Sequence, residues 1–356
     1  MPTPRKCLPI AAWPQLDRVL WQRATSGRRR LLDLSVAATW RPRTIATVAE
    51  AYGYALAWLE VSGLLDPTMA PELRWPSDRV EAYANDLLVR VRPATVKSRL
   101  LSLERALAVL ASSSDRSAFR RVIRGVEVPS DDGRKRNRLQ DPDRLVTLGL
   151  DLMAKAEQGR YASPRKNAAH FRDGLQIALL ALRGFRKNNF SGIRIGTHLR
   201  QRNGEWWFAF SGHETKNHTP LEVPFPETLL PHLQRYLDHY RRLLARDRYI
   251  GDRLWLSYRY APQAAHSLQL QLAHRTRMAF GRPINPHLFR DCIATSIAIH
   301  DPKHVRMTAT ILGHNSFATT ERHYNLARTL EASRRYGEAV SARRAAINPG
   351  RRRPKS

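Results

Sequence analysis

Apolar residues recur at helical spacing through the first third of the chain. From Thr44 they step by three and four positions, and the stripe stops at Ser62-Gly63, a pair that commonly ends a helix. Its members are Ile45, Val48, Tyr52, Leu56 and Leu59. A second stripe predicts a helix that starts at Ser77 and stops before Pro93. Its inward residues are expected to be Val80, Tyr83, Ala84, Leu87 and Leu88.

A third helix is predicted from Thr95. Its apolar face repeats Val96, Leu100, Leu103, Leu107 and Leu110. The opposite face carries Lys97, Arg99 and Arg105. Solvation explains any one of these charges as well as a ligand does, so their meaning depends on the rest of the chain.

The stretch from Pro129 to Arg138 interrupts this periodicity. It is polar, basic and rich in turn-forming residues, and it has no apolar face. This composition predicts an interdomain linker at 129–139.

The pattern beyond the linker is first helical and then extended. Leu145 to Leu182 is helical in pattern. Ile193-Arg194-Ile195 then begins an extended segment, and the aromatic segment Glu205–Phe210 is typical of a strand. Asn203-Gly204 is a strong hairpin signal, and Leu221-Glu222-Val223 predicts a third short strand. A small antiparallel sheet inside a mostly helical domain is therefore expected.

Helices are predicted to resume from Leu229 to Leu244 and to continue to about Val340. The tail from Arg343 is basic and has no acidic residue, which favours disorder until it meets phosphate. A chain of 356 residues is long for one core, so two domains are expected. The fold class is mainly α with a small antiparallel β-sheet (α+β) in the second domain. The predicted parts are an N-terminal extension at 1–29, a helical domain at 30–128, the linker at 129–139, a larger domain at 140–340 and a basic tail at 341–356.

The net charge of the chain is the strongest indication of its binding partner. The formal net charge is +29, with 60 Lys+Arg against 31 Asp+Glu. Such a surplus favours a polyanionic partner, because neutralising phosphates releases condensed counterions. DNA, RNA, a ribosome or an anionic membrane would each fit. The surplus makes a DNA-facing role the better interpretation of Lys97, Arg99 and Arg105, and the linker cations Arg134, Lys135 and Arg136 join them as candidate DNA contacts.

Several classes of site are not indicated. Cys7 and Cys292 are the only cysteines and form no CxxC pair, so no disulfide framework or zinc ribbon is expected. The histidines lack HExxH spacing and there is no P-loop, so we expect no metal and no cofactor. The N-terminus has no apolar signal segment and no stretch reaches the length of a membrane helix. A cytoplasmic protein without a membrane partner is expected.

The candidate chemistry lies in the second domain. Attack on a phosphodiester needs a nucleophile, positive charge on the non-bridging oxygens and a proton donor for the leaving oxygen. Arg186 and Arg290 could supply the charge, because a guanidinium binds two phosphate oxygens at once. His287 lies three residues before Arg290, on the same face of a helix or turn. His314 follows a glycine at an apparent helix break, and Tyr324 could be the nucleophile.

These residues resemble the ordered motifs of the tyrosine recombinase (phage integrase) family. Gly184-Phe185-Arg186 resembles the first arginine motif, and Thr215-Lys216-Asn217 resembles the hairpin with the catalytic lysine. His287-Leu288-Phe289-Arg290 is similar to the His-x-x-Arg motif, and Leu312-Gly313-His314 to the Leu-Gly-His motif. The segment from Thr319 to Tyr324 resembles the one that bears the nucleophile. The resemblance covers most of the chain apart from its tails.

The resemblance implies a two-domain DNA clamp, with a core-binding domain at 30–128 and a catalytic domain at 140–340. It implies an enzyme that cuts and rejoins DNA without metal or ATP. Four residues would hold the scissile phosphate: Arg186, His287, Arg290 and His314. Lys216 would protonate the leaving 5′ oxygen, and Tyr324 would form a 3′-phosphotyrosyl link.

The partners that the resemblance implies are double-stranded DNA with an inverted-repeat site and three further copies of the chain. The homotetramer would assemble on paired sites, with the helix of Leu330 to Val340 passed to a neighbour. Accessory DNA-bending proteins are a further partner class that this family allows. The location implied is the bacterial cytoplasm, on the nucleoid when the protein is bound.

Two positions depart from the family's pattern. Asn189 stands where the family usually has an acidic residue that supports the active site. Tyr324 lies ten positions after His314, one later than is commonest, and His323 occupies the usual place. An imidazole does not replace a phenol in this mechanism, so Tyr324 remains the predicted nucleophile. These departures keep two alternatives open: a non-catalytic DNA-binding or architectural protein of the same fold, and a type IB topoisomerase-like enzyme.

Overall fold

The computed structural model describes residues 7–26, 36–129, 136–215, 218–246, 251–301 and 343. The chain divides into two compact units, Met1–Asp132 and Gly133–Ser356. The boundary falls inside the segment predicted as a linker. Mostly helical architecture with a small antiparallel sheet confirms the predicted fold class.

The first unit is helical throughout its described part. Its helices are α1 (Gln15–Thr25), α2 (Pro42–Val61), α3 (Ser77–Arg90), α4 (Pro93–Leu110) and α5 (Ser117–Gly125). The three predicted stripes correspond to α2, α3 and α4, and their apolar positions form the core. Leu88 is the exception: it is 40% exposed, so its prediction as an inward residue is wrong. On α3 the buried stripe runs through Val80, Tyr83, Ala84 and Leu87, and Leu88 lies one step of about 100° beyond Leu87.

Part of the segment predicted as an N-terminal extension belongs to this core. Trp13 and Trp21 are buried, and the Trp13 ring lies edge-on to Tyr52 with centroids 4.9 Å apart. A fully buried ion pair joins α1 to the turn before α3, because Arg74 donates to Asp17 at 2.6 Å. The Tyr52 hydroxyl donates to the same carboxylate at 2.7 Å. Residues far apart in sequence are thereby fixed around one carboxylate.

The second unit is built on a tight helix pair. Its helices before the sheet are α6 (Pro142–Glu157), α7 (Pro164–Arg183) and α8 (Lys187–Ser191). The single helical pattern predicted over Leu145 to Leu182 is broken at Gly159, whose φ is +68°, and α7 restarts with Ser163 as its N-cap. Gly149 and Gly174 let the two helices touch, since a Cβ on Gly149 would meet the Gly174 carbonyl oxygen at 2.6 Å.

The described residues form a three-stranded antiparallel sheet in the order β1 (Leu199–Arg202), β2 (Glu205–Phe210) and β3 (Leu221–Pro224). Asn203 and Gly204 both have positive φ and make the predicted hairpin turn between β1 and β2. The first strand was predicted wrongly. Ile193–Ile195 makes only isolated bridges, and β1 begins at Leu199.

Helices resume after the sheet, and the predicted stretch from Leu229 to Leu244 is helical throughout, with changes of helix type along it. They are α9 (Leu230–Arg235), a π-helical turn (Tyr236–Tyr240), α10 (Arg241–Ala245), α11 (Ala265–Phe280) and α12 (Pro286–His300). Between α10 and α11 the described chain is irregular and carries the buried Trp255. The predicted helix Leu330 to Val340 lies outside the described residues. Within the described ranges, no helix combines the length and apolarity needed to cross a membrane.

Candidate functional site

Arg186 lies at a fixed corner between two helices. Gly184 ends α7 in the left-handed conformation, with φ of +56°, and its N–H donates to the Leu180 carbonyl at 2.9 Å. Phe185 is buried against Phe208, with ring centroids 4.8 Å apart. Arg186 then occupies the position directly before α8 and is half-buried. Buried neighbours fix its backbone while its side chain keeps access to solvent.

Helix α12 brings the second arginine to the same corner. Asn285 caps this helix, because its side-chain oxygen accepts from the N–H groups of His287 at 3.0 Å and Leu288 at 3.1 Å. His287 is exposed in the first turn, and Arg290 follows three residues later. The Arg290 Nη1 atom donates to the Gly184 carbonyl oxygen at 2.5 Å. Two motifs about a hundred residues apart are therefore joined by a direct hydrogen bond.

The electrostatics of this corner favour an anion. The pKa of Arg290 is lowered to about 10, first by burial and second by the positive charge of Arg186, while Asp291 acts in the opposite direction. Burial also lowers the pKa of Arg186. Both groups remain protonated at neutral pH. Two partly desolvated like charges are stabilised when an anionic oxygen comes between them.

The turn that precedes Lys216 lies against the same corner. Lys216 and Asn217 are outside the described residues, but Ser211–Thr215 and His218 are described. Asn189 of α8 donates from Nδ2 to the Glu214 carbonyl oxygen at 3.4 Å. Asn189 thus makes a neutral hydrogen bond to this turn from the position where an acidic residue was expected.

The other predicted catalytic residues are not placed. His314 and Tyr324 lie outside the described residues. The structure accordingly brings together Arg186, Arg290 and the chain flanking Lys216, and it places His287 on the first turn of the helix that carries Arg290.

Comparison with known proteins gives both sequence relatives and fold neighbours. No protein-family model matches the chain. A putative tyrosine recombinase XerC from Pseudomonas aeruginosa is 28% identical over 141 residues, which are 37% of this chain and 32% of that protein. A putative tyrosine recombinase XerC from Pseudomonas syringae is 25% identical over 183 residues, 49% of this chain and 38% of that protein. The matches thus span only about a third of the length of these relatives.

Two solved structures share the fold over most of the chain. A XerH site-specific recombinase in a post-cleavage complex with palindromic difH substrate has a TM-score of 0.59 and 15% identity, covering 96% of this chain and 98% of its own. A lambda integrase(75–356) dimer bound to a COC′ core site has a TM-score of 0.51 and 13% identity, covering 80% of this chain and 89% of its own.

These relatives and neighbours support a tyrosine recombinase assignment. The residues of the first unit that were predicted to contact DNA differ in their surroundings. Arg105 is exposed, whereas Arg99 is half-buried and stacks on the Tyr54 ring at 4.5 Å. Lys97 is also half-buried.

The linker candidates are only partly described. Arg134 and Lys135 lie outside the described residues, and Arg136 begins a 3₁₀ turn at Arg136–Arg138. Arg138 donates to the Pro283 carbonyl from Nε at 3.0 Å and from Nη2 at 2.5 Å. The end of this basic segment is therefore attached to the turn that leads into α12.

Sequence reasoning missed a pair of residues at the turn beside this corner. His198 and Glu214 contact each other, with Nε2 and Oε1 2.7 Å apart. The Glu214 carboxylate also accepts from the Ser211 hydroxyl, and these hydrogen bonds lower its pKa to about 2, with Ser211 the largest cause. Spacing alone offered no signal for this contact, since the hairpin brings the two residues together. The nearest hint was the position of Glu214, two residues before Lys216.

Proposed function

We propose that this chain is a site-specific tyrosine recombinase that cuts and rejoins duplex DNA through a covalent 3′-phosphotyrosyl intermediate. The observation that carries the proposal is the convergence of Arg186 and Arg290 on one corner, joined through the Gly184 carbonyl. The +29 charge and the tyrosine recombinase relatives support the same function. In this proposal Arg186, Arg290, His287 and His314 hold and polarise the scissile phosphate.

Cleavage exchanges one phosphoester bond for another. The Tyr324 phenol oxygen attacks phosphorus and gives up its proton to water, and the bond from phosphorus to the 5′ oxygen breaks. The electron pair of that bond goes to the 5′ oxygen, which takes a proton from the Lys216 ammonium, and water later returns a proton to Lys216. The products are a phosphotyrosyl ester and a free 5′ hydroxyl. Reversal by another 5′ hydroxyl rejoins strands without ATP, because the ester keeps the bond.

Recombination also needs several copies of the chain. We infer that four copies assemble on two DNA sites with inverted repeats, with the segment Leu330 to Val340 donated between copies. The cognate site is expected to lie beside the reading frame as inverted repeats around a short spacer.

Tyr324 is the residue on which this proposal is tested. A nicked duplex that carries the cognate site loses the fragment with the 5′ hydroxyl after cleavage, so the wild-type protein should accumulate as a covalent adduct on a denaturing gel. Tyr324→Phe is expected to abolish the adduct, because the nucleophilic oxygen is gone. Tyr258→Phe removes the hydroxyl of an exposed tyrosine and should leave the adduct unchanged. An adduct that persists in Tyr324→Phe would show that another residue is the nucleophile.

One observation favours a second function. Asn189 makes a neutral contact where the family usually has a charged one. A non-catalytic DNA-binding protein of this fold predicts tight, salt-sensitive binding to duplex DNA with no covalent adduct on any site. The same gel, run with a gel-shift assay on the same duplex, separates the two functions.

A further inference from the structure

The missed pair His198 and Glu214 occupies a distinct place in the second unit. His198 lies just before β1, and Glu214 lies in the turn after β2. His198 is 7% exposed and stacks on Phe210, with ring centroids 5.2 Å apart. Phe210 is the last residue of β2, directly before the turn. The imidazole is therefore held by packing as well as by hydrogen bonds.

The hydrogen bonds fix the orientation of the imidazole. Its Nδ1 accepts from the Arg194 backbone N–H at 3.0 Å, so the ring proton lies on Nε2. Nε2 then donates to Oε1 of Glu214 at 2.7 Å. The side chain thus bridges the segment before β1 and the turn after β2.

Both carboxylate oxygens of Glu214 accept hydrogen bonds. Oε1 accepts from His198, while Oε2 accepts from the Ser211 N–H at 3.0 Å and the Ser211 hydroxyl at 2.5 Å. The backbone carbonyl of Glu214 accepts from Asn189. One residue thereby links the sheet to α8, and α8 starts directly after Arg186.

The next residue is held as well. The Thr215 hydroxyl lies 3.0 Å from the Gly212 carbonyl oxygen and 2.8 Å from the Thr219 carbonyl oxygen, so it connects the two sides of the turn. A Cβ on Gly212 would meet the His218 carbonyl oxygen at 2.6 Å, which shows how closely the two sides approach. The backbone is thus tied down immediately before Lys216.

We propose that His198 and Glu214 are positioning residues, which hold the turn up to Thr215, directly before Lys216, in place relative to α8 and Arg186. This inference rests on the proposed function, in which Lys216 is the proton donor to the leaving oxygen. Neither residue touches the reacting atoms. They act through the turn.

Glu214→Gln tests this with almost no change of shape. An amide offers one acceptor oxygen where the carboxylate offers two, so either His198 or Ser211 must face an amide N–H instead. The change is expected to slow cleavage of an ordinary nicked substrate by about 10- to 100-fold, since a small misplacement of a catalytic group has effects of this size. Glu222→Gln, at an exposed carboxylate on β3 of the same hairpin, is the matched control and should leave the rate unchanged.

A sulfur substrate separates positioning of the proton donor from a general loss of structure. When sulfur replaces the 5′ oxygen at the cleaved bond, the leaving thiolate departs without a proton. Glu214→Gln should then cleave within about threefold of the wild-type rate, because the step that needs Lys216 is bypassed. Lys216→Ala should show the same pattern, and adding Glu214→Gln to it should slow cleavage no further.

The outcomes separate the two hypotheses. An equal slowing on both substrates, or none on either, would overturn the positioning role while leaving the recombinase function intact. A wild-type protein that cleaves neither substrate would instead overturn the proposed function.

Two further measurements keep the positioning role testable. His198→Asn keeps an acceptor for the Arg194 N–H and loses the donor to Glu214, so it should reproduce the Glu214→Gln pattern if the glutamine variant folds poorly. Cutting by endoproteinase Lys-C after Lys216 needs no recombinase activity. Glu214→Gln should accelerate this cut several-fold and Glu222→Gln should not, and equal rates in the two variants would contradict the proposed role.

Discussion

Arg74 of the first unit and Arg290 of the second are both buried, and their surroundings differ in charge. In the first unit Arg74 is fully buried and donates to the Asp17 carboxylate, which also holds Tyr52. In the second unit Arg290 is 7% exposed, donates to the neutral Gly184 carbonyl and lies within the field of Arg186. A buried arginine that is neutralised inside the fold supports stability. A buried arginine that lies near a second positive charge is instead stabilised when an anion binds from solution.

Removing the carboxylate in the first unit should have the largest effect on folding. Asp17→Asn leaves the Arg74 charge in a dry site opposite an amide, and the free energy of unfolding should fall by about 3–5 kcal/mol. Urea unfolding followed by circular dichroism measures this. Glu104→Gln is the control, because Glu104 pairs with Arg120 at 3.2 Å on the surface and should change stability by less than about 1 kcal/mol. Similar small losses in both variants would remove the contrast between the two arginines.

The corresponding change in the second unit should affect chemistry more than folding. Arg290→Gln is expected to slow cleavage by about 10²- to 10³-fold, which is typical for loss of one group that stabilises transition-state charge. Inorganic sulfate should raise the melting temperature of the wild-type protein and raise that of the variant less. Arg277→Gln, at an exposed position on α11, should keep the wild-type response. An unchanged sulfate response in Arg290→Gln would place the anion site elsewhere.

The pH dependence of sulfate binding gives a further test of the role of Arg290. Folding lowers the pKa of Arg290 to about 10, chiefly through burial, so the folded protein releases this proton at a lower pH than the unfolded chain does. The charge that binds an anion is present below about pH 10 and is lost above it. The free-energy cost of burying the Arg290 charge is also relieved as the pH rises above about 10, because the side chain is then neutral in the folded protein. Sulfate affinity should therefore fall as pH rises through 10, and the difference between wild type and Arg290→Gln should shrink there.

The smallest expected effects concern the basic face of the first unit. Arg105→Gln should lower the slope of log affinity for duplex DNA against log salt by about one, as expected for one lost phosphate contact. Arg99→Gln should instead lower the free energy of unfolding by about 0.5–1 kcal/mol, because Arg99 stacks on Tyr54. Gel shifts at several salt concentrations and urea unfolding distinguish the two roles. A reversed result would mean that the stacked arginine, and not the exposed one, meets the phosphates.

The helices could be predicted because burial imposes a period on the sequence. Val96 to Leu110 shows this directly, as each predicted apolar position on α4 is buried. The hairpin at Asn203-Gly204 was equally visible, since few other residues accept positive φ at both central positions. The first strand was not predictable in this way. β1 has a single buried residue, Leu199, followed by three exposed polar ones, so it lacks the alternation that marks a half-buried strand.

The residues of the candidate site likewise differ in whether a local sequence pattern marks them. Arg186, His287 and Arg290 could be proposed as site residues because their motifs are local in sequence. His198 and Glu214 were not, because their contact depends on where the sheet places two loops. The hydrogen bond from Arg290 to the Gly184 carbonyl is likewise a tertiary contact that no spacing encodes.

The contact between Gly149 and Gly174 has a consequence for how activity could change over evolution. Helix α7 runs about 15 Å from Gly174 to the corner at Gly184. A single added methyl group at the crossing would force the two helices apart. The C-terminal end of α7, at Gly184, would then be displaced. The position of the Arg186 side chain can thus be altered by a substitution that contacts neither DNA nor any of the proposed catalytic groups. Under the proposed recombinase function, variants at this crossing are expected to be temperature-sensitive for cleavage with DNA-site preference unchanged.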